Sequence, residues 1–143
     1  MRSNKTSWLK KGDLSTKWYI IDAQGQTLGR LASKISNILR GKNKATYIPN
    51  MDNGSSVIVT NASKINVTGK KKQKKTYYRY SGYPGGLKST TLDKLLEKHP
   101  DRVIRFAVKG MLPKNKLQKV FLKKLRIYPG DCHNHQAQTP ESI

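Results

Sequence analysis

Residues 18–41 read WYIIDAQGQTLGRLASKISNILRG, and their pattern decides the fold class. Trp18-Tyr19-Ile20-Ile21 is a short apolar run, as in a strand buried on both faces, and it stops at Asp22. Residues 23–26 have the composition of a turn. Beyond them Leu28, Leu31, Ala32, Ile35 and Leu39 recur at helical spacing, and Gly41 stands where a helix would stop. A strand, a short glycine-containing turn and an amphipathic helix open a βαβ unit.

The same alternation continues down the chain. Residues 1–17 are polar and basic without apolar periodicity, a tail. Residues 42–53 form a basic loop containing Pro49, residues 56–60 a second strand and residues 65–68 a third. Tyr77-Tyr78-Arg79-Tyr80 reads as a short extended segment closed by the turn Ser81-Gly82-Tyr83-Pro84-Gly85-Gly86. Thr90-Thr91-Leu92-Asp93 has capping-box spacing before a helix carrying Leu92, Leu95 and Leu96, which Pro100 ends. A further helix spans residues 101–109, with Val103, Ile104, Ala107 and Val108 inward and Gly110 as its stop. Residues 115–125 form a helix with a stripe of Leu117, Val120 and Phe121, and Arg126-Ile127-Tyr128 is the last strand. No internal repeat is present. The pattern predicts one α/β domain, residues 18–128, around a small, mostly parallel sheet, with a polar C-terminal tail over residues 129–143.

At 143 residues the chain is about one domain long and can bury a real core. Its 29 Lys and Arg stand against 8 Asp and Glu, a net charge of +21, which calls for a polyanion. The excess is uneven: net +7 over residues 1–63, net +16 over residues 64–126 and net −2 over the last seventeen. One cysteine forms no internal disulfide, so a disulfide-stapled scaffold is excluded. No apolar run approaches the ~20 residues of a membrane span, and no secretory signal is evident. The reading is of an intracellular protein with no membrane partner.

Four constellations bear on function. Gly25-Gln26-Thr27-Leu28-Gly29 follows the first strand and invites a nucleotide phosphate at the helix start. It lacks both the three-glycine dinucleotide spacing and the Gly-Lys-Ser/Thr of a phosphate loop, and the alternative is that Gly29 lets helix and strand pack closely. Cys132-His133-Asn134-His135 offers three metal ligands where a structural zinc takes four, so a polar tail touching its neighbours is the better reading and no metal is expected. Asp22 could serve as a general base, but a turn-holding role fits it better, and Asp93 and Glu97 sit where they would support Lys94 and Lys98. The fourth constellation is stronger. The block Lys70-Lys71-Lys72-Gln73-Lys74-Lys75 is followed at once by Tyr77, Tyr78, Arg79, Tyr80 and Tyr83, lysines for phosphates and planar groups for unpaired bases. In a strand, alternate tyrosines turn into the core, so about half of them are available to a ligand. Lys109, Lys114, Lys116, Lys119, Lys123 and Lys124 make a second basic surface around Met111-Leu112-Pro113.

Long stretches in one order then carry a resemblance. They are Trp18-Tyr19-Ile20-Ile21-Asp22-Ala23, Thr27-Leu28-Gly29-Arg30-Leu31-Ala32, Leu39-Arg40-Gly41-Lys42, Asn61-Ala62-Ser63-Lys64, Val67-Thr68-Gly69-Lys70-Lys71, Ser81-Gly82-Tyr83-Pro84-Gly85-Gly86 and Ala107-Val108-Lys109-Gly110-Met111-Leu112-Pro113-Lys114. Over residues 18–138 the chain resembles the universal large-subunit ribosomal protein family numbered thirteen, in its bacterial and organellar form. Three departures stand out. The family's Pro-His before Asp-x-Gly-Asp is here Pro49-Asn50-Met51-Asp52-Asn53-Gly54-Ser55, its Leu-Gly-Arg is Leu117-Gln118-Lys119, and its His-Pro-His is His133-Asn134-His135.

The resemblance implies a three-layer α/β/α domain around a four-stranded parallel sheet, direct binding to large-subunit rRNA, neighbouring large-subunit proteins as partners, and an early place in subunit assembly. It implies no enzymatic activity, no cofactor and no small-molecule substrate. The rRNA-binding set it suggests, joined to the basic surfaces, is Arg40, Lys42, Lys44, Lys70, Lys71, Lys72, Lys74, Lys75, Arg79, Tyr80, Tyr83, Lys109, Lys114, Lys116, Lys119, Lys123 and Lys124. The expected place is the large ribosomal subunit in a bacterial cytoplasm, with a mitochondrial or plastid ribosome as the alternative. The rival functions are a nucleotide-dependent enzyme using the turn at residues 25–29 and a free-standing RNA-binding protein.

Overall fold

A computed structural model describes residues 14–143; most of the N-terminal tail, residues 1–13, lies outside the described residues. Strand β1 (Trp18–Asp22) leads through the predicted turn into helix α1 (Leu28–Arg40) and back to β2 (Ser56–Thr60), which pairs parallel with β1 from Trp18 opposite Ser56 to Asp22 opposite Thr60. Leu31, Ala32, Ile35, Ile38 and Leu39 bury one face of α1, as the spacing demands, and Gly41 caps it at φ 79°. All five residues of β2 are buried, as a central strand covered on both faces must be. The sheet runs β5-β2-β1-β6 and is parallel throughout, within an α/β/α arrangement.

Two of its strands differ from the sequence reading. Residues 65–68 make only an isolated bridge, Asn66 to Thr27, because the Asn66 amide and carbonyl bond to the loop before α1 and not to a strand. The fourth strand instead is β6 (Glu141–Ser142), from the segment read as a polar tail. It lies along β1, and Lys17 Nζ meets Glu141 Oε1 at 2.9 Å. The last strand expected from the sequence is β5 (Leu125–Ile127), one residue earlier, with Leu125 fully buried.

Between β2 and β5 the chain builds a second unit. The one-turn helix α2 (Lys71–Lys74) precedes β3 (Thr76–Tyr80), which pairs antiparallel with β4 (Leu87–Thr91) in a separate two-stranded sheet. The predicted capping box does not form, since Thr90 and Thr91 belong to β4, and the Leu92 N–H donates to the Lys75 carbonyl at 2.8 Å. Helices α3 (Leu92–Lys98), α4 (Pro100–Met111) and α5 (Leu117–Lys123) follow. Pro100 occupies the first position of α4, where its missing N–H costs nothing, and α4 runs through Gly110 to Met111 where a stop was expected. The main core joins Ile21, Leu31, Ile35, Leu39, Val57, Val59, Ile104, Val108, Phe121 and Leu125. Val120, placed in the apolar stripe of α5 by spacing, faces outward at 40% exposure.

Ser55 is fully buried and its hydroxyl has no hydrogen-bond partner among the described residues. A buried, unpaired hydroxyl costs its desolvation without return, so Ser55→Ala should leave stability unchanged or raise it by up to about 1 kcal/mol. Urea unfolding measures this; a loss above about 1 kcal/mol would mean that the hydroxyl has a partner.

Candidate nucleic-acid interface

Gly69, at φ 66°, turns the chain before the lysine block, and lysine's good helix propensity then winds residues 71–74 into one turn. The Lys74 and Lys75 amides donate to the Lys70 and Lys71 carbonyls at 3.0 Å each. Lys70, Lys71, Lys72, Lys74 and Lys75 are all exposed, and the block winds into a helical turn. No acidic residue lies within the turn, so its like charges repel one another at helical spacing. Lys75 Nζ sits 5.2 Å from the centroid of the Tyr77 ring.

In the hairpin the pleat divides the tyrosines. Tyr77 turns inward and stacks on Phe106 of α4 at 5.5 Å, while Tyr78 and Tyr80 point away at 68% and 62% exposure. Tyr80 stands opposite Leu87, and Tyr83, in the connecting loop, is 76% exposed. The glycine pair there serves the loop itself: the Gly86 N–H donates to the Tyr83 carbonyl at 2.9 Å, and the space where its Cβ would be is filled by Ser81.

On the second basic surface Lys109, Lys114, Lys116, Lys119 and Lys123 are exposed. Gln118, in the place of the family's glycine, ties this surface together. Its Nε2 donates to the Lys109 carbonyl at 3.0 Å and the Leu112 carbonyl at 3.3 Å, and its N–H donates to Asn115 Oδ1 at 3.2 Å.

Two residues of the predicted set are engaged inside the fold. Lys124 Nζ pairs with Asp52 Oδ1 at 2.8 Å and donates to the Gly54 carbonyl at 2.9 Å. Lys44 Nζ donates to the Ser15 carbonyl and to Asn53 Oδ1, the latter at 3.4 Å. Burial, and then the neighbouring Lys124 charge, push the Lys44 ammonium below its ordinary pKa. These two lysines hold the loop of residues 42–55 in place. Lys42 is exposed, and the Arg40 guanidinium lies 5.5 Å over the Tyr47 ring.

The other constellations resolve into structure. Asp22 Oδ1 accepts from the Gln24 N–H at 3.0 Å and from Asn61 Nδ2 at 2.9 Å, which holds its carboxyl below the usual range, the Gln24 bond first. It is a turn-holding residue. Because its folded pKa is depressed, it contributes stability above the ordinary carboxylate pKa of about 3.9, and that contribution is lost as pH falls through the folded value. Asp22→Asn should therefore flatten the acid limb of the stability–pH curve below about pH 4, leaving its slope near neutrality unchanged. Acid titrations of Tm for both proteins test this; parallel curves would refute it. Gly29 does not serve close packing, since a Cβ there would meet nothing within 4 Å. His135 packs 5.4 Å from Trp18 and 6.0 Å from Tyr128, and exposed Cys132 lies beside them in sequence. Lys88, Lys94, Lys98 and Arg102, absent from the predicted rRNA-binding set, gather beside the hairpin. The spacing of Lys94 and Lys98, one helical turn apart, was their only sequence signal.

The chain is a strongly basic α/β domain that displays an exposed lysine turn and exposed tyrosines. Residues 16–134 match the family model of ribosomal protein L13. The large ribosomal subunit protein uL13 of Pelobacter propionicus is 57% identical over 139 residues, 97% of this chain and 98% of that protein. The uL13 of Symbiobacterium thermophilum is 51% identical over 140 residues, 98% of each, and that of Thermotoga maritima 53% identical over 97% of this chain and 93% of its own. The chain belongs to the ribosomal protein L13 family.

Proposed function

We propose that this chain is a structural constituent of the large ribosomal subunit, bound to large-subunit rRNA and to neighbouring subunit proteins, and that it acts early in subunit assembly. The observation that carries the reading is identity of 51% and 57% to proteins named large ribosomal subunit protein uL13 along nearly the whole chain. Two exposed surfaces support it: the lysine turn with the outer tyrosines of the hairpin, and Lys109, Lys114, Lys116, Lys119 and Lys123. Lys70–Lys75 and the second surface neutralise phosphates, and Tyr80 and Tyr83 offer flat faces to unpaired bases. Lys44 and Lys124 act at one remove, by fixing the loop that presents Lys42. The role is that of a scaffold and not of a catalyst, in a bacterial ribosome as for the relatives named above.

Fractionation of cell extract on a sucrose gradient tests the reading. Co-sedimentation with large subunits and their assembly precursors is expected. A free soluble pool with ligand-dependent activity would overturn it in favour of an enzyme.

A further inference from the structure

The cations outside the predicted rRNA-binding set line a groove of about 400 Å³ between the hairpin and helices α3 and α4. Its floor is apolar and aromatic, with Tyr77, Leu95 and Phe106. Its rim carries Arg79 and Lys88 from the hairpin and Lys94, Lys98 and Arg102 from the helices. We propose that this groove takes one unpaired nucleotide of the rRNA, its base on the floor and its flanking phosphates on the rim. The inference rests on the rRNA-binding reading above and assigns a third contact, beside Tyr77 and Arg79 of the hairpin.

The rim is costly to the free protein. Arg79 and Lys88 stand directly opposite one another in the antiparallel register, where like charges destabilise the pair. Lys94 and Lys98 lie one helical turn apart, which is also unfavourable. Direct ion pairs give these cations no relief: among the described residues the salt bridges are Lys17–Glu141 and Lys124–Asp52, so neither Asp93 nor Glu97 closes onto Lys94 or Lys98. A bound phosphate run would supply it.

The floor then selects among polyanions. Phe106 is 45% exposed although its ring stacks on Tyr77, and it lines both this groove and the neighbouring cavity at the start of α1. A nucleotide brings an apolar face and anionic oxygens in one group, and base stacking on such a ring is favourable. A carboxylate-rich peptide would satisfy the rim and leave the floor bare. A duplex keeps its bases stacked inside and would present only backbone. The volume falls within the roughly 300–1,000 Å³ of small-ligand sites, room for one residue of a strand and not for a helix.

The test uses the full chain with three probes: oligouridylate, duplex RNA of equal length, and polyglutamate. Phe106→Leu keeps apolar bulk against Tyr77 and should weaken oligouridylate binding by roughly 5-fold to 100-fold without changing its salt dependence. Replacing Lys94, Lys98 and Arg102 together by Ala should flatten the log–log salt slope for oligouridylate by about two units. Thermal unfolding of the free variants checks that both still fold. Oligouridylate affinity unchanged in well-folded Phe106→Leu, or an equal loss toward duplex RNA, would overturn the assignment. So would variants that lose polyglutamate binding and keep oligouridylate binding, which would mark a protein-docking groove. If the wild-type chain still co-sediments with large subunits, such a result removes the groove alone; failure of co-sedimentation removes the reading on which it rests.

Discussion

Gly54→Ala should destabilise the free protein by roughly 3–5 kcal/mol, a large share of the about 5–15 kcal/mol typical of a domain. Gly54 enters β2 directly beneath the C-terminus of α1. A Cβ built there overlaps the Leu39 carbonyl, and the next nearest atoms are also backbone, so no rotamer change relieves the clash. Relief requires the loop to move, and the loop is pinned. The Ser55 N–H donates to the Ile38 carbonyl at 3.2 Å, Lys124 Nζ holds the Gly54 carbonyl at 2.9 Å, and Asn53 Nδ2 donates to the Thr46 carbonyl at 2.9 Å. Overpacking alone costs about 1–3 kcal/mol, and each hydrogen bond lost adds about 1. Gly41 faces the same contact from the helix side: its Cβ would lie 2.8 Å from the Asn53 carbonyl oxygen. Gly29→Ala is the control. It meets open space within α1 and should be neutral or stabilise by up to about 1 kcal/mol. Urea unfolding followed by circular dichroism separates the two. A cost at Gly54 below about 1 kcal/mol would show that the loop and the helix end do not meet as closely as described.

That junction explains part of what the sequence could disclose. The β1–α1–β2 unit was legible because each element buries a face, and burial writes a period into the residues: a continuous run in β1, helical spacing in α1. Strand β4, Leu87-Lys88-Ser89-Thr90-Thr91, buries little on either face, so no alternation marks it and only its β-branched threonines hint at a strand. Strand β6 is two exposed residues whose order comes from pairing with the edge of β1, a partner more than a hundred residues away. In contrast, residues 65–68 carry the buried Ile65 and Val67 of a strand without strand partners, because their backbone is spent on the loop before α1.

The candidate interface is legible in composition and not in detail. A lysine reads as a free cation from sequence, and nothing near Lys124 announces that Asp52, 72 residues earlier, will take its charge. Lys44 likewise reads as a free cation, and no local pattern announces its bonds to the Ser15 carbonyl and Asn53 Oδ1. The tyrosines were half legible: the pleat forces alternation, but which set turns inward depends on where Phe106 sits, and that is a property of α4 packing on the hairpin.

The largest effect on binding should come from the lysine turn. If Lys70–Lys75 neutralise several phosphates, log affinity for large-subunit rRNA should fall linearly with log salt, by about 0.7 to 0.9 per phosphate. Replacing Lys71, Lys72 and Lys74 by Ala should then flatten the slope by about two to three units and weaken binding most at low salt, with little change in preference among RNAs. The folded state should not suffer, because the three side chains are exposed and repel one another, so their removal eases strain in α2. The outer tyrosines should behave in the opposite way. Stacking is worth roughly 1–3 kcal/mol per base and is nearly independent of salt, so Tyr80→Ala or Tyr83→Ala should weaken binding and leave the slope as it was. Both side chains are largely exposed, at 62% and 76%, so thermal unfolding of the free variants should match the wild type. Binding lost together with stability would instead place the tyrosine's work within the fold. Filter binding across a salt series reads both quantities at once. A triple-lysine variant with the wild-type slope would move the phosphate grip off α2 and onto the remaining cations, Lys109 to Lys123 and the groove rim.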